Sequence, residues 1–220
     1  ERALDALEGE VREELAGQLR QENDGSYAHR LNAECRCGVT HGTPPRTLTA
    51  SDKLVQIYEY VNIHGVQFEK GRFESPDGQK TFLWRRKGLT EWPRGKSGAV
   101  MAEMGLYGAD DVADRPDDPV IFVEGEKAQG ALVSRGYLAV CGPGGAGQKS
   151  FGQALDVLEG RVVKLWPDHD PEGERYMALL AGLLRGRAKS VQLVKWSGAR
   201  DKGDDAFDFF ARGGTIAELN

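Results

Sequence analysis

Long hydrophobic runs are missing from this 220-residue chain. None approaches the roughly 20 apolar residues that a membrane-spanning helix needs, and no signal peptide opens the sequence, so we expect no membrane partner. Cysteine is scarce too: three residues give no disulfide framework, which favours a reducing cytoplasm. An excess of positive charge is also missing. Because the formal net charge is −5, any nucleic-acid binding must depend on a local basic surface.

The remaining composition is that of an ordinary globular protein. Hydrophobic residues make up 40% of the chain and charged residues 29%, and the length suits one large domain or two small ones. The chain starts at Glu1 and stops in GGTIAELN, which looks like the beginning of a helix. We therefore expect a piece of a longer polypeptide.

Residues 1–50 are predicted to form a helical and loop segment. Leucine and valine recur at helical spacing over residues 1–20, which predicts an amphipathic helix. The stretch after it is rich in turn formers and holds four potential zinc ligands: His29, Cys35, Cys37 and His41. Their spacing is not the usual C-x2-C and no second clear pair is present, so loop residues without a metal are the favoured interpretation, with structural zinc as the alternative.

Residues 51–116 are predicted to form a smaller, basic, mostly β subdomain. Short alternating runs flank the turn SPDGQ, a hairpin signal because Asp-Gly tolerates the positive φ of a tight turn. Lysine and arginine dominate between residues 70 and 96, beside Trp84 and Trp92, which suits a surface that binds a nucleic-acid backbone and stacks bases. The candidate binding residues are Arg72, Arg85, Arg86, Lys87 and Lys96. A merely solvated β surface is the alternative.

Residues 117–220 are predicted to form an α/β domain. After an acidic, proline-bearing linker at 108–119, the chain repeats a pattern of apolar strand and helix, and KSVQLVKW supplies a fourth strand. Strands separated by helices of this length imply a parallel sheet with helices on both faces, of the Rossmann-like kind.

Acidic side chains stand where the predicted parallel strands end. Glu124 ends the first strand, and Asp168 and Asp170 end the third, in WPDHDPEGER. The segment after the fourth strand adds three more: Asp204, Asp205 and Asp208. Ligand sites of open parallel sheets lie at this edge, and carboxylate clusters there suit Mg²⁺ or Mn²⁺.

A structural interpretation of the same aspartates is helix capping. Asp170 precedes a predicted helix that begins near Glu172, and Asp204 and Asp205 precede an apolar pair at Phe207 and Phe210. Aspartate is among the preferred N-cap residues, so each of these side chains has a role that needs no metal.

The glycine loop GPGGAG supports a further alternative. Gly142, Gly144 and Gly147 satisfy G-x-G-x-x-G between a strand and a predicted helix, which is the dinucleotide-binding pattern. In that fold the motif normally follows the first strand, whereas here it follows the second. A nicotinamide site also requires neither the EGEK strand nor the doubled acid. Dinucleotide binding is therefore the weaker interpretation.

Three segments together resemble a known family. VIFVEGEKAQGAL, VVKLWPDHDPEGER and KGDDAFDFF look like the signature segments of the Toprim domain of bacterial and phage-type DNA primases, which topoisomerases and some nucleases share. The resemblance covers about residues 117–213, and the basic β region before it is similar, more loosely, to the N-terminal part of the primase polymerase core.

The resemblance implies roles for individual residues. Glu124, Asp168 and Asp170 would be the catalytic, metal-binding acids, and Asp204 and Asp208 a second metal group. Lys127 would contact a phosphate, although a plain surface lysine is the alternative. Family members often carry an aspartate four residues after the glutamate, where this chain has Ala128, which puts a secondary metal or structural contact in doubt.

The implied function is a metal-dependent primase core. It would use Mg²⁺ or Mn²⁺ to join ribonucleotides on a single-stranded DNA template, with a replicative helicase, fused or recruited, as a further partner. A Toprim nuclease would use the same acids and metals. A non-catalytic nucleic-acid-binding module with structural carboxylates is the third possibility.

Overall fold

The computed structural model describes residues 19–21, 27–29, 48–93 and 99–215. The chain divides into two compact units, Glu1–Ala50 and Ser51–Asn220. The division of the second unit at residue 116 stays a prediction.

In the first unit, strands β1 (Leu19–Gln21) and β2 (Tyr27–His29) pair antiparallel. The helix predicted over residues 1–20 lies outside the described residues except at its last two positions, which belong to β1. The zinc prediction cannot be placed either, because three of its four residues lie outside the described ranges: Cys35, Cys37 and His41.

The second unit begins with an antiparallel sheet of three strands, β3 (Lys53–Val61), β4 (Gln67–Glu74) and β5 (Lys80–Arg86), in that order. The predicted hairpin is present: the Ser75 amide donates to the Gln79 carbonyl at 3.0 Å, and Gly78 has φ +81°. The mostly β subdomain is therefore confirmed.

The two faces of this sheet pack differently because side chains alternate along a strand. One face buries Tyr58, Tyr60 and Phe68 in a cluster with Met104. On the other face the Trp92 ring lies 2.6 Å from the point where a Cβ on Gly71 would stand, so only glycine fits at that position.

The second unit continues with a four-stranded parallel sheet. Its strands are β6 (Val120–Val123), β7 (Ala139–Cys141), β8 (Val162–Leu165) and β9 (Ser190–Leu193), in the order β7-β6-β8-β9. The described helices are α1 (Asp110–Asp114), α2 (Glu126–Val133), α3 (Pro171–Leu184) and α4 (Ala206–Ala211).

Helices cover both faces of the parallel sheet, as the α/β prediction requires. Phe122 of β6 and Leu165 of β8 pack on one face with the α3 residues Met177 and Leu180. The other face is buried with α2 and α4 by a second cluster that includes Ile121, Val123, Leu132, Phe209 and Phe210. Each large apolar side chain so buried contributes about 1.5–3 kcal/mol, so this two-sided core rigidly holds the strand ends that carry the acids.

Two predictions about connections are wrong. The segment after β7 forms only short 3-10 turns at Gly145–Gly147 and Asp156–Leu158 instead of a helix. Glycines in helix interiors each cost about 1 kcal/mol, and this segment buries Leu155 and Leu158 without a regular helix. The predicted linker at 108–119 contains α1, whose Val112 is buried. Within residues 48–93 and 99–215, no helix is long and apolar enough to cross a membrane.

Candidate metal and nucleic-acid site

Glu124 follows β6 directly and its carboxylate lies against the first turn of α3. A Cβ on Gly173 would stand 3.2 Å from Glu124 Oε2, so the glycine makes room for this approach. Oε2 is buried and has no hydrogen-bond partner within the described ranges. Burial and the neighbouring carboxylate of Asp170 raise the pKa of Glu124 to about 7, although the Ala146 amide opposes the shift. An unsatisfied buried carboxylate oxygen is costly and calls for a cation or a water.

Asp168 stands beyond the end of β8, beside Glu124. Burial and the negative charges of Glu124 and Asp205 raise the pKa of Asp168 to about 8, with smaller contributions from Asp170 and Asp208. The predicted meeting of acids from separate strand ends is therefore present. The side chains that raise the pKa of Asp168 are all acidic, and Lys127 opposes the upward shift of the pKa at Asp205, so the cluster favours protonation or a bound cation.

Asp170 is the N-cap of α3, as the capping interpretation predicted. Its Oδ1 accepts the amides of Glu172 at 2.9 Å and Gly173 at 2.8 Å. Both bonds are accepted by one oxygen, so capping leaves Oδ2 for another ligand. Capping and metal binding are compatible at this position.

The structure separates Asp204 from the other acids. Its two carboxylate oxygens are bound by Arg212, at 2.5 and 2.8 Å, which holds the pKa of Asp204 well below its usual range. Asp205 stands in its place near the cluster and raises the pKa of both Glu124 and Asp168. Asp205 also caps α4 and forms a reciprocal capping box with Asp208. Capping is thus observed for Asp205 and not for Asp204.

Two backbone hydrogen bonds bring the segment after β9 to the end of β8. The His169 amide donates to the Asp204 carbonyl at 2.8 Å, and the Gly203 amide donates to the His169 carbonyl at 3.1 Å. These bonds hold Asp205 and Asp208 beside Asp168, although the whole of α3 and β9 separates them from Asp168 in the chain.

The cluster fits a divalent ion in chemistry, although it is not a closed cage. In residues 48–93 and 99–215 no three His, Cys, Asp or Glu side chains are arranged as a ready metal site. A cation here would nevertheless give Glu124 Oε2 the partner that it lacks and would stabilise the ionised form of Asp168, whose pKa is raised. Carboxylate oxygens alone suit Mg²⁺ or Mn²⁺, which retain several waters and need few protein ligands.

The raised pKa values predict that the metal-free protein loses stability as pH rises. Between an ordinary carboxyl pKa of about 4 and the raised values, the folded state binds more protons than the unfolded state, so the free energy of unfolding falls with pH. For Glu124 and Asp168 this window extends to about pH 7 and about pH 8. Thermal denaturation without metal should give a higher melting temperature near pH 5 than near pH 8, and Asp168→Asn should flatten the difference. A melting temperature that rises through the window would contradict these assignments.

The candidate nucleic-acid-binding residues do not form one continuous surface. Arg72 pairs with Glu74 and lines a cleft of about 490 Å³ together with Lys127, at the junction of β4 and α2. Arg86 lies on the same face of the sheet and is exposed. Arg85 points to the opposite face, where it pairs with Glu69 at 2.5 Å and stacks 4.1 Å from the Trp92 ring.

The remaining candidates differ in accessibility. Lys127 is exposed, with its ammonium 3.7 Å from the centre of the Phe207 ring, and Lys87 pairs with Glu59 at 2.8 Å. Lys96 lies outside the described residues. Trp84 packs against Tyr60 at 4.9 Å between ring centres, so this ring supports the core instead of offering a stacking platform.

Sequence reasoning missed a buried polar group next to the acids. The Glu126 carboxylate is buried and accepts hydrogen bonds from two other buried side chains, Lys70 and Tyr60. The signal in the sequence was a lysine in the middle of the strand QFEKGRFE. Because buried lysines are rare unless they are paired, a lysine at a buried position of this strand indicates an acidic partner.

The dinucleotide-binding alternative lacks its structural context. Gly144 donates its amide to the Gln148 side chain at 3.0 Å, and a 3-10 turn follows where the pattern requires the beginning of an α-helix.

The fold is similar to that of primases. A DNA primase domain from Pseudomonas aeruginosa superposes with a TM-score of 0.51 at 18% identity, over 99% of this chain and 60% of that one. The DnaG primase catalytic domain bound to ssDNA gives a TM-score of 0.42 at 18% identity, over 73% of this chain and 55% of that one. No family model and no curated protein sequence matches the chain.

The first of these similarities confirms the expected fold, that of a primase domain with a parallel sheet preceded by a small antiparallel sheet. The second is too distant to add to it. The chain spans less than two thirds of the length of the Pseudomonas aeruginosa domain.

Proposed function

We propose that this chain is a metal-dependent primase catalytic core that joins ribonucleotides on single-stranded DNA. The observation that carries the proposal is the meeting of Glu124 and Asp168 at adjacent strand ends, with an orphaned buried oxygen on Glu124. The pKa values raised to about 7 and about 8 point in the same direction, because burial and the neighbouring acids both disfavour the ionised carboxylates until a cation binds.

Glu124, Asp168 and the second oxygen of Asp170 would hold the catalytic Mg²⁺ or Mn²⁺, and Asp205 and Asp208 would stand by a second ion. When bound, the ions would neutralise the charge of the phosphates and favour ionisation of the attacking 3′-hydroxyl. The Ala146 amide and the α3 N-terminus hold Glu124 and Asp170 in place before substrate arrives. Phosphoryl transfer needs this positioning more than it needs a covalent nucleophile.

The template would bind on the small sheet. Arg72 and Lys127 line a cleft beside α2, and the exposed Arg86 extends the same face. Guanidinium and ammonium groups bind phosphates without regard to base sequence, so this contact would weaken steeply with added salt. Arg85 is not expected to bind the same strand, because it points to the opposite face of the sheet, where Glu69 and Trp92 engage its guanidinium. A helicase partner and a cytoplasmic location stay predictions.

A direct test is primer synthesis by the 220-residue chain. We expect short oligoribonucleotides when it is incubated with single-stranded DNA, ribonucleotides and Mg²⁺ or Mn²⁺. Denaturing gels with labelled ribonucleotide measure the product, and omission of template is the control. If neither metal supports synthesis by this chain or by a longer form of the protein, the proposal is wrong.

The alternative chemistry is metal-dependent cleavage by the same acids. The small antiparallel sheet ahead of the parallel sheet favours the primase, because the solved primase domain of similar fold matches 99% of this chain, both sheets included. Following end-labelled single-stranded DNA without ribonucleotides separates the two: shortening of the strand would indicate a nuclease, and an unchanged strand is the result we expect.

A further inference from the structure

Lys70 is a buried cation at the centre of β4, with only 7% of its surface exposed. Its Nζ donates to Glu126 Oε1 at 2.6 Å and to the Pro143 carbonyl at 2.9 Å. Tyr60 of the neighbouring strand donates its hydroxyl to the same Glu126 oxygen at 2.6 Å. Lys70 also lies 4.8 Å from the centre of the Phe82 ring. One ammonium therefore ties the small sheet to two separate segments of the parallel-sheet region.

Both of those segments flank Glu124. Glu126 is the first residue of α2, two residues beyond Glu124. Pro143 belongs to the glycine loop whose Ala146 amide reaches the Glu124 carboxylate. Glu124 is thus held from two sides, by the beginning of α2 and by the glycine loop, and Lys70 hydrogen-bonds to both of these segments.

We propose that Lys70 is a positioning residue for the metal site. It fixes the distance between the beginning of α2 and the glycine loop, and so places Glu124 for metal binding, an inference that rests on the proposed function. Arg72 lies two residues further along β4 on the same face, so the strand also sets the spacing between template phosphates and metal.

A buried ion pair is a poor choice for stability alone. Removing two charges from water costs much of what their attraction returns, and well-packed apolar residues of similar volume often stabilise a protein as well or better. An ammonium, however, holds two acceptors at fixed distances and directions, which an apolar contact cannot do. Groups that hydrogen-bond a metal ligand directly change metal affinity by about 10–100-fold when removed. Lys70 acts one contact further out, through Glu126 and Pro143, so we expect an effect at the lower end of that range.

The test replaces the buried polar group by apolar residues. Lys70→Met alone would leave the buried Glu126 charge with the Tyr60 hydroxyl but without its cation, so the decisive protein is the triple variant Tyr60→Phe, Lys70→Met, Glu126→Leu. We expect it to melt close to the parent without metal, and to bind Mn²⁺ at least about tenfold more weakly in calorimetry. Primer synthesis should lose kcat with little change in KM for the template. Arg187→Met, which breaks an exposed ion pair far from the acids, is the control and should bind Mn²⁺ as the parent does.

A second variant guards against misfolding of the first. Glu126→Gln removes the counter-charge of the buried Lys70 and should melt lower than the parent, but it keeps an oxygen for Lys70 and Tyr60, so the folded protein should retain Mn²⁺ affinity within about threefold of the parent. Parent-like affinity in a folded triple variant would overturn the inference, and so would a Glu126→Gln affinity as low as that expected for the triple. Absence of Mn²⁺ binding by the parent would overturn it together with the proposed function. Mn²⁺ binding without primer synthesis would sink the primase proposal alone, because the affinity comparison decides the role of Lys70.

Discussion

Replacing Asp168 with asparagine should lower primer synthesis by about 10²–10³-fold, the cost of losing one electrostatic contact to a transition state. The amide keeps the shape of the side chain and removes the charge that would hold the ion. Asp168 lies beside Glu124 at the end of the adjacent strand, with Asp170, Asp205 and Asp208 around it, so its charge belongs to the centre of the cluster. Synthesis rates at saturating Mg²⁺ and Mn²⁺ measure the effect. Asp117→Asn is the matched control: Asp117 is exposed and precedes β6, at the opposite edge of the sheet from the acids, so this variant should be fully active.

The same variant should be more stable than the parent when no metal is present. Burial and neighbouring acids raise the pKa of Asp168 to about 8, which means that the ionised form is disfavoured in the fold. Removing the charge relieves that cost. Added Mn²⁺ should then stabilise the parent, as any ligand of the folded state does, and leave the variant nearly unchanged. A variant that gains as much from Mn²⁺ as the parent would show that Asp168 is not a ligand.

The strand ends could be predicted from the sequence because their signals are local. VIFV and VVKL are mostly apolar runs of strand length. Glu124 follows the first at once and Asp168 comes three residues after the second, and parallel pairing brings such ends to one edge. Alternate side chains of an extended segment share a face, which also predicts that Asp168 and Asp170 lie together. The choice between Asp204 and Asp205 was different, because adjacent residues in a loop have no fixed faces. Arg212, eight residues later, decides it by binding Asp204.

The basic surface was predicted less well, since composition does not reveal facing partners. Arg85 and Arg86 are neighbours in sequence and therefore point to opposite faces of β5. Glu69 pairs with Arg85 only because β4 and β5 place these residues opposite each other. From composition alone Lys70 is one more cation of the region between residues 70 and 96, because its partner Glu126 is 56 residues away in the chain. Long-range pairs of this kind are set by the register of the sheet and by tertiary packing, which a single sequence does not state.

Asp170→Asn should leave stability nearly unchanged and still lower primer synthesis by about 10²-fold or more. Asparagine caps helices about as well as aspartate, so the amides of Glu172 and Gly173 keep an acceptor at the N-terminus of α3. The lost charge would weaken what Oδ2 binds, and it would also relieve part of the repulsion that Asp170 exerts on Glu124 and Asp168. Asp170→Ala is the comparison: it removes the cap and should cost about 1 kcal/mol of stability in addition to the activity. Urea denaturation and synthesis rates on the three proteins separate the two roles. Full activity in Asp170→Asn, with reduced stability only in Asp170→Ala, would make Asp170 a cap and nothing more.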